Sequence, residues 1–228
     1  MIATATRRGP VVELVGPAGA GKSTLVRTIR SRNPEVRTDL SIWSLPGPRL
    51  VTNGLLFLPK LAALWRDYPG SLWTALHLAV RLKTLQQLLD RGKTRNCRAL
   101  VVDIGPIFTL AWFRVYARHR TWNRWLDQWY PRAVVEGAAA VDAIVWLDAP
   151  DQVLAARIRM RDQAHTVKDK SDHEIFTLLG NYRKTFAQVI AEVSARSGTP
   201  VLTFSTDEKD PEQIADEIMA SLSPQGDQ

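Results

Sequence analysis

The sequence predicts an α/β domain: a parallel sheet with helices packed on both faces. Short, apolar, β-branched runs recur along the chain, as in VVELVG, RALVVDIGP (98–106), DAIVWLDAP (142–150) and TPVLTF. Between them lie patterns of ten or more residues with helical periodicity, an alternation that calls for parallel strands joined by helical crossovers. The first run also ends in the glycine-rich stretch GPAGAGKST, 16–24, with a helical pattern directly after it.

Taken in order, VVELVG reads as a strand buried on both faces, because its apolar residues run on rather than alternate. Residues 22–32, KSTLVRTIRSR, read as a helix stopped by Asn33-Pro34, and EVRTDLSIW holds a second short strand. From Pro46 to Pro69 the Pro/Gly punctuation predicts short helices and loops. SLWTALHLAVRLKTLQQLLDRG, 71–92, is a long helix with Ser71 as N-cap and Gly92 as its stop. The strand in 98–106 ends at Asp103, and one or two helices dense in aromatics occupy 107–140. After the strand in 142–150, a helix opens at Pro150-Asp151 and carries QVLAARIRMRD. A polar stretch, QAHTVKDKSDHE, leads to a helix at 173–197, the strand TPVLTF and the helix DPEQIADEIMASL. No linker, repeat or low-complexity tract divides the 228 residues, so a single domain spanning 1–228 is expected.

Composition narrows the function classes. Hydrophobic residues make up 45% and charged residues 23%, the balance of an ordinary globular protein. The net charge of +7 is carried mostly by arginine, which pairs bidentately with phosphate and so favours anionic ligands. Charge alone is the whole support for nucleic-acid binding, which is not expected. Cys97, as a lone cysteine, excludes an intramolecular disulfide, and the four histidines lack metal-ligand spacing. A reducing cytoplasm fits this usage. Arg7-Arg8 before VVELVGPAGA imitates a twin-arginine leader, but Glu13 interrupts a run that is already short. LLFLPKLAALW is broken by Pro59 and Lys60, and SLWTALHLAV stops at Arg81, so no membrane span is expected.

Gly16, Gly21, Lys22 and Ser23 fill the phosphate-loop pattern G-x-x-x-x-G-K-[ST], with the strand before and the helix after that the motif requires. Backbone N–H groups of Gly16, Pro17, Ala18, Gly19, Ala20, Gly21, Lys22, Ser23 and Thr24 (proline excepted) are the expected cradle for the phosphates of ATP. The helix that follows adds the positive end of its dipole. Lys22 reaches the β- and γ-phosphates, and the Ser23 hydroxyl ligates Mg²⁺.

Two strands end in a carboxylate at the edge where open α/β sheets bind ligands. Asp103, followed by the tight turn Gly105-Pro106, is read as the functional one, near Mg²⁺ or the acceptor. Asp148 is read as the start of a capped helix. RIRMR places Arg157 and Arg161 on one helix face, with Arg159 elsewhere. Arginines that close over a transferring phosphoryl group stabilise its charge and exclude water. Lys22, Asp103, Arg157 and Arg161 are therefore the candidate catalytic set, and Ser23 and Asp103 the candidate metal ligands.

These pieces in this order resemble the P-loop nucleoside and nucleotide kinases, especially their thymidylate kinase-like branch. GPAGAGKST matches the phosphate loop, and VVDIGP stands where those kinases carry a strand followed by an Asp-Arg or Glu-Arg pair. VWLDAPDQVLAARIRMR looks like their strand, Leu-Asp and helix leading into an arginine-bearing lid. NYRKTF (181–186) and VLTFSTDEKDPEQIADEI look like their closing elements. The resemblance implies a three-layer P-loop NTPase fold with about five parallel strands, a lid at about 157–172 and an acceptor site built by the helical region at about 45–97. It departs from the family at Ile104, where the pattern has Arg. Arg49, Arg81 and Arg114 are the candidates for the missing cation, and no Phe-Pro-x-Arg signature is present.

The aromatic middle, with Trp112, Phe113, Tyr116, Trp122, Trp125, Trp129 and Tyr130, reads as a core or interface stripe, and the resemblance, to a family whose members often dimerise through such helices, implies a homodimer. The reading that follows is ATP-dependent phosphoryl transfer to a small-molecule acceptor: a nucleoside, a nucleotide or a sugar-like compound. The alternative is a non-catalytic or regulatory ATP-binding protein. No Asn-Lys-x-Asp motif for GTP is present.

Overall fold

The computed structural model describes residues 9–65, 72–90, 97–117, 124–161 and 167–222. Five strands form one all-parallel sheet: β1 (Val11–Val15), β2 (Val36–Arg37), β3 (Ala99–Val102), β4 (Ala143–Asp148) and β5 (Val201–Ser205). Their order is β2-β3-β1-β4-β5. β1 sits at the centre, pairing Glu13 with Val102 on one side and with Ile144 on the other.

The helices are α1 (Lys22–Arg32), α2 (Gly47–Trp65), α3 (Leu72–Asp90), α4 (Pro106–Ala117), α5 (Arg124–Ala140), α6 (Asp151–Arg159), α7 (Asp172–Ser197) and α8 (Pro211–Leu222). Alternation along β1 sorts them into layers. Val12 and Leu14 face a core closed by Leu25 and Ile29 of α1, Leu154 and Ile158 of α6, and Ile214 and Ile218 of α8. Val11 and Val15 point the other way, into clusters built with α3, α4, α5 and α7. Both sheet faces are thus covered, which is why the parallel strands read as continuous apolar runs. The chain is a three-layer α/β/α fold.

The expected helix at 22–32 matches α1. It starts at Gly21 in the left-handed region and ends at Asn33, whose N–H bonds to the Ile29 carbonyl. The helix expected at 173–197 is α7, started by a reciprocal capping box between Ser171 and Glu174 and stopped by left-handed Gly198. The two helices within 107–140 are α4 and α5.

The expectation of short helices and loops from Pro46 to Pro69 is corrected. Gly47–Trp65 is one helix of 19 residues. Pro48 falls in its first turn, where no backbone donor is needed, and the helix continues through Pro59. Packing on α3 outweighs the local punctuation. Buried Asn53 donates to the Thr84 hydroxyl at 2.8 Å and to Gln87 at 3.1 Å, fixing the register of the two helices. Ser71 and Gly92, the expected ends of the next helix, lie outside the described residues.

The aromatic stripe is core where it is described. The rings of Phe113 and Trp129 sit 5.0 Å apart, and Tyr130 is buried. Trp122 and the side chains of Tyr116 and Trp125 lie outside the described residues. A second cluster centres on Phe186 of α7, touched by Tyr182, Phe108 and Trp146. Among the described residues no helix is long and apolar enough to cross a membrane.

Candidate active site

The chain leaves β1 toward the β2 edge and leaves β4 toward the β5 edge. A crevice therefore opens between them at the C-terminal ends of the strands. The phosphate loop fills the β1 side of that crevice. Gly19, a position the G-x-x-x-x-G-K-[ST] pattern leaves free, cannot be replaced here: its φ is +86°, and a Cβ would stand 2.8 Å from the Leu154 carbonyl oxygen of α6. Close packing on α6 thus sets the loop's path.

Lys22 folds back over the loop and donates to the carbonyls of Gly16 at 2.5 Å and Pro17 at 2.9 Å. The residue is partly exposed at the loop's mouth, but its ammonium is desolvated. Burial pushes its pKa down to about 8, the Arg161 guanidinium adds to the fall, and Asp103 opposes it. Lys22 thus feels the charges of two further candidate catalytic residues, Arg161 and Asp103. Ser23 and Thr24 are exposed on the first turn of α1, beside the loop.

Arg157 belongs to a different part of the crevice. Its guanidinium donates to the Thr206 hydroxyl at 2.8 Å, the Thr206 carbonyl at 2.9 Å and the Gly19 carbonyl at 3.5 Å. It lines a cavity of about 360 Å³ together with Gly21, Thr24, Arg161, Thr206 and Ile214. The expected shared helix face is corrected: α6 ends at Arg159, so Arg161 stands beyond the helix, in the turn where its N–H bonds to the Ile158 carbonyl. Arg161 meets Arg157 only as part of the cavity wall, while Arg159 turns away to pair with Asp172. Of the expected lid at 157–172, residues 162–166, His165 included, lie outside the described residues. Lys168 donates to the Arg161 carbonyl, tying the two described ends together.

Asp148, read as the start of a capped helix, does not cap α6: the N-cap is Pro150, with no side-chain hydrogen bond, and the Asp148 carboxylate is engaged elsewhere. Arg183 of α7 grips it with Nε at 2.7 Å and an Nη at 3.0 Å, and reaches Asp151 at 2.5 Å and the Ala149 carbonyl at 2.9 Å. The network fastens the end of β4 and the start of α6 to α7. Within NYRKTF the sequence carried no sign of which residue would do this.

The structure also separates the three cations considered for the place of the missing arginine. Arg114 pairs within the helical layer with Glu192 at 2.6 Å and lies over the Tyr130 ring, and it too keeps one buried Nη with no hydrogen-bond partner. Arg81 meets neutral groups: it donates to His77 at 2.9 Å and to the Ile42 carbonyl at 2.8 Å, and it stacks on Trp43. Burial and Arg81 lower the His77 pKa, so the imidazole stays the neutral acceptor in this pair. The Ile42 N–H bonds to the Ile104 carbonyl, which brings this loop beside the Asp103 turn. Arg49 starts α2 and keeps one buried Nη with no hydrogen-bond partner.

Glu13 is the residue that motif reading missed. It is fully buried in β1, and its carboxylate accepts from the backbone N–H of Ile107 at 2.8 Å and of Phe108 at 2.7 Å. Burial pushes its pKa up to about 8, Asp103 pushes the same way, and the backbone donors of Phe108, Ile107 and Gly105 pull it down. Its signal was a charge inside an apolar parallel strand.

No protein-family model matches the chain, and no curated protein matches it. Solved structures do. The chain is similar to a deoxyadenosine kinase from M. mycoides with bound dCTP, at a TM-score of 0.54 and 15% identity over 93% of this chain and 98% of that one. It is similar to the YorR protein of Bacillus subtilis in complex with phosphorylated GDP, at 0.51 and 14%, over 93% and 95%. A shikimate kinase from Bacteroides thetaiotaomicron follows at 0.50 and 17%, over 93% and 98%. What the chain shares with these proteins is the fold, a three-layer α/β/α arrangement around a five-stranded parallel sheet.

Proposed function

We propose that the protein is an ATP-dependent kinase of a small molecule bearing a hydroxyl, a nucleoside, nucleotide or sugar-like compound. The observation that carries this reading is a complete phosphate loop on a parallel sheet, whose desolvated Lys22 feels the charges of both Asp103 and Arg161. Fold similarity to kinases adds to it without naming the acceptor.

The cavity lined by Arg157, Thr206 and Ile214 would take the base and ribose of ATP, its volume falling in the range of small-ligand sites. Lys22 would leave the Gly16 and Pro17 carbonyls for the β- and γ-phosphates, and Arg161 would offset charge on the transferring group. The Ser23 hydroxyl and the Asp103 carboxylate are hard oxygen donors that fit Mg²⁺, an ion that keeps most of its coordination for phosphate and water. When bound, Mg²⁺ would neutralise charge on the phosphate oxygens. The acceptor oxygen would attack the γ-phosphorus as the bond to ADP breaks, its proton passing to Asp103. Arg81, beside the Asp103 turn, is the cation we assign to the acceptor side in place of the arginine that Ile104 replaces. The order of the motifs favours the thymidylate kinase-like branch, and the lone cysteine favours the cytoplasm.

The test is an ATP-consumption screen across nucleosides, nucleoside monophosphates and sugar derivatives. Lys22→Ala is expected to lower turnover at least about 100-fold, as loss of charge stabilisation in a dry site does. Turnover unaffected by that change would sink the proposal. ATP binding with no turnover on any acceptor would favour a regulatory nucleotide-binding protein instead.

A further inference from the structure

The buried carboxyl group of Glu13 has no part in the chemistry above, and a polar group in a central strand is costly unless it is hydrogen-bonded. Its partners show what it is bound to. α4 begins at Pro106, which has no N–H, so Ile107 and Phe108 present the first free donors of the helix. Both are taken by Glu13, one by each oxygen, from a strand 94 and 95 residues earlier in the chain. α4 therefore receives its cap from β1 rather than from its own sequence. The turn before it has been shaped to the carboxylate: a Cβ on Gly105 would stand 2.6 Å from both Cδ and Oε2 of Glu13. Gly105 in turn accepts from the Thr109 N–H at 3.1 Å and its hydroxyl at 2.7 Å, which locks the first turn of α4.

Asp103 stands two residues before that glycine. The strand that carries Glu13 also carries the phosphate loop, beginning three residues later. We propose that Glu13 is a positioning residue, which caps α4 from inside β1 and thereby fixes the Asp103 carboxylate relative to the phosphate loop. The inference rests on the kinase reading and adds to it a residue that touches neither nucleotide nor acceptor.

Glu13→Gln tests it. The carboxamide keeps the shape but turns an N–H toward a backbone N–H, so the turn must move. The expected result is a fall in kcat of about 100-fold, the scale of a displacement of about 1 Å in a reacting group, with the KM for ATP within about twofold of wild type. The Asp103→Asn background separates positioning from stability. If Glu13 acts through Asp103, adding Glu13→Gln to Asp103→Asn lowers kcat no further. Gly105→Ala, which presses on the same carboxylate from the other side, is expected to reproduce the kcat loss. Four results would overturn the proposal: kcat near wild type, the same fold-loss with and without Asp103, loss of ATP affinity in parallel with kcat, or unfolding of both variants. Wild-type protein that turns over no acceptor fails the kinase reading instead. The cap is then judged by amide exchange: Glu13→Gln supports it by lowering protection at Ile107 and Phe108, and unchanged protection overturns it.

Discussion

Lys22 is held in a state that suits a ligand better than it suits the free protein. Its ammonium is desolvated and meets two backbone carbonyls, while the Arg161 cation opposes its charge. Below about pH 8 the folded and unfolded chains both carry the proton, and the folded one bears the cost of enclosing it. Between about 8 and the ordinary lysine value of 10.5 the unfolded chain binds a proton that the folded chain has released, so this group's contribution to stability rises with pH. Lys22→Met should therefore stabilise the ligand-free protein at pH 7 by about 1 kcal/mol. Thermal melts should show that gap narrowing above pH 8, and ADP should no longer raise the melting temperature of the variant. A gap that widens with pH would contradict the assignment. Lys22 was legible in sequence because the motif specifies it by spacing. The role of Glu13 and the need for glycine at position 19 within the expected cradle were not, since each is required by a neighbour brought in by the fold, the α4 turn for one and the Leu154 carbonyl for the other.

At the scale of elements, periodicity located the strands and most helices because burial on two sheet faces writes itself into composition. It failed for α2, where Gly47, Pro48, Gly54 and Pro59 speak for loops and a buried Asn53–Thr84–Gln87 network holds a helix. That network joins residues more than thirty apart, which no local window contains. The same limit applies to Arg183, which fixes the relative placement of β4, α6 and α7. Its side chain is 27% exposed and that of Asp148 26%, so the fork between them is partly withdrawn from water. The Arg159–Asp172 pair, at 42% and 63%, is not. Urea unfolding should show Arg183→Ala costing about 2 kcal/mol, the range for hydrogen bonds to charged groups. Arg159→Ala should cost about 0.5 kcal/mol or less, as exposed pairs do. Equal costs would mean that the network does not anchor the elements.

Over the whole molecule, the proposed nucleotide cavity joins parts of the chain nearly two hundred residues apart: the loop that leaves β1 and the turn that leads from β5 into α8. The strand order makes this unavoidable, because β4 and β5 complete the sheet beside β1 and α8 packs against α1 on the same face. The sequence showed each piece but not the meeting, which depends on crossovers that set β4 rather than β2 next to β1. Ile214 and Ile218 of α8 separate the two consequences of that meeting. Both are buried in the core shared with α1, at 2% and 0% exposure, yet Ile214 also lines the cavity and Ile218 does not. Truncating either to Ala should cost about 2–5 kcal/mol, read as a fall in the urea midpoint. Ile214→Ala should in addition weaken ADP binding by about tenfold, since it removes wall contacts from the ligand, whereas Ile218→Ala should bind ADP as the wild type does. Calorimetric titration of the two folded variants decides the matter. Equal ADP affinities would place the nucleotide base outside this cavity.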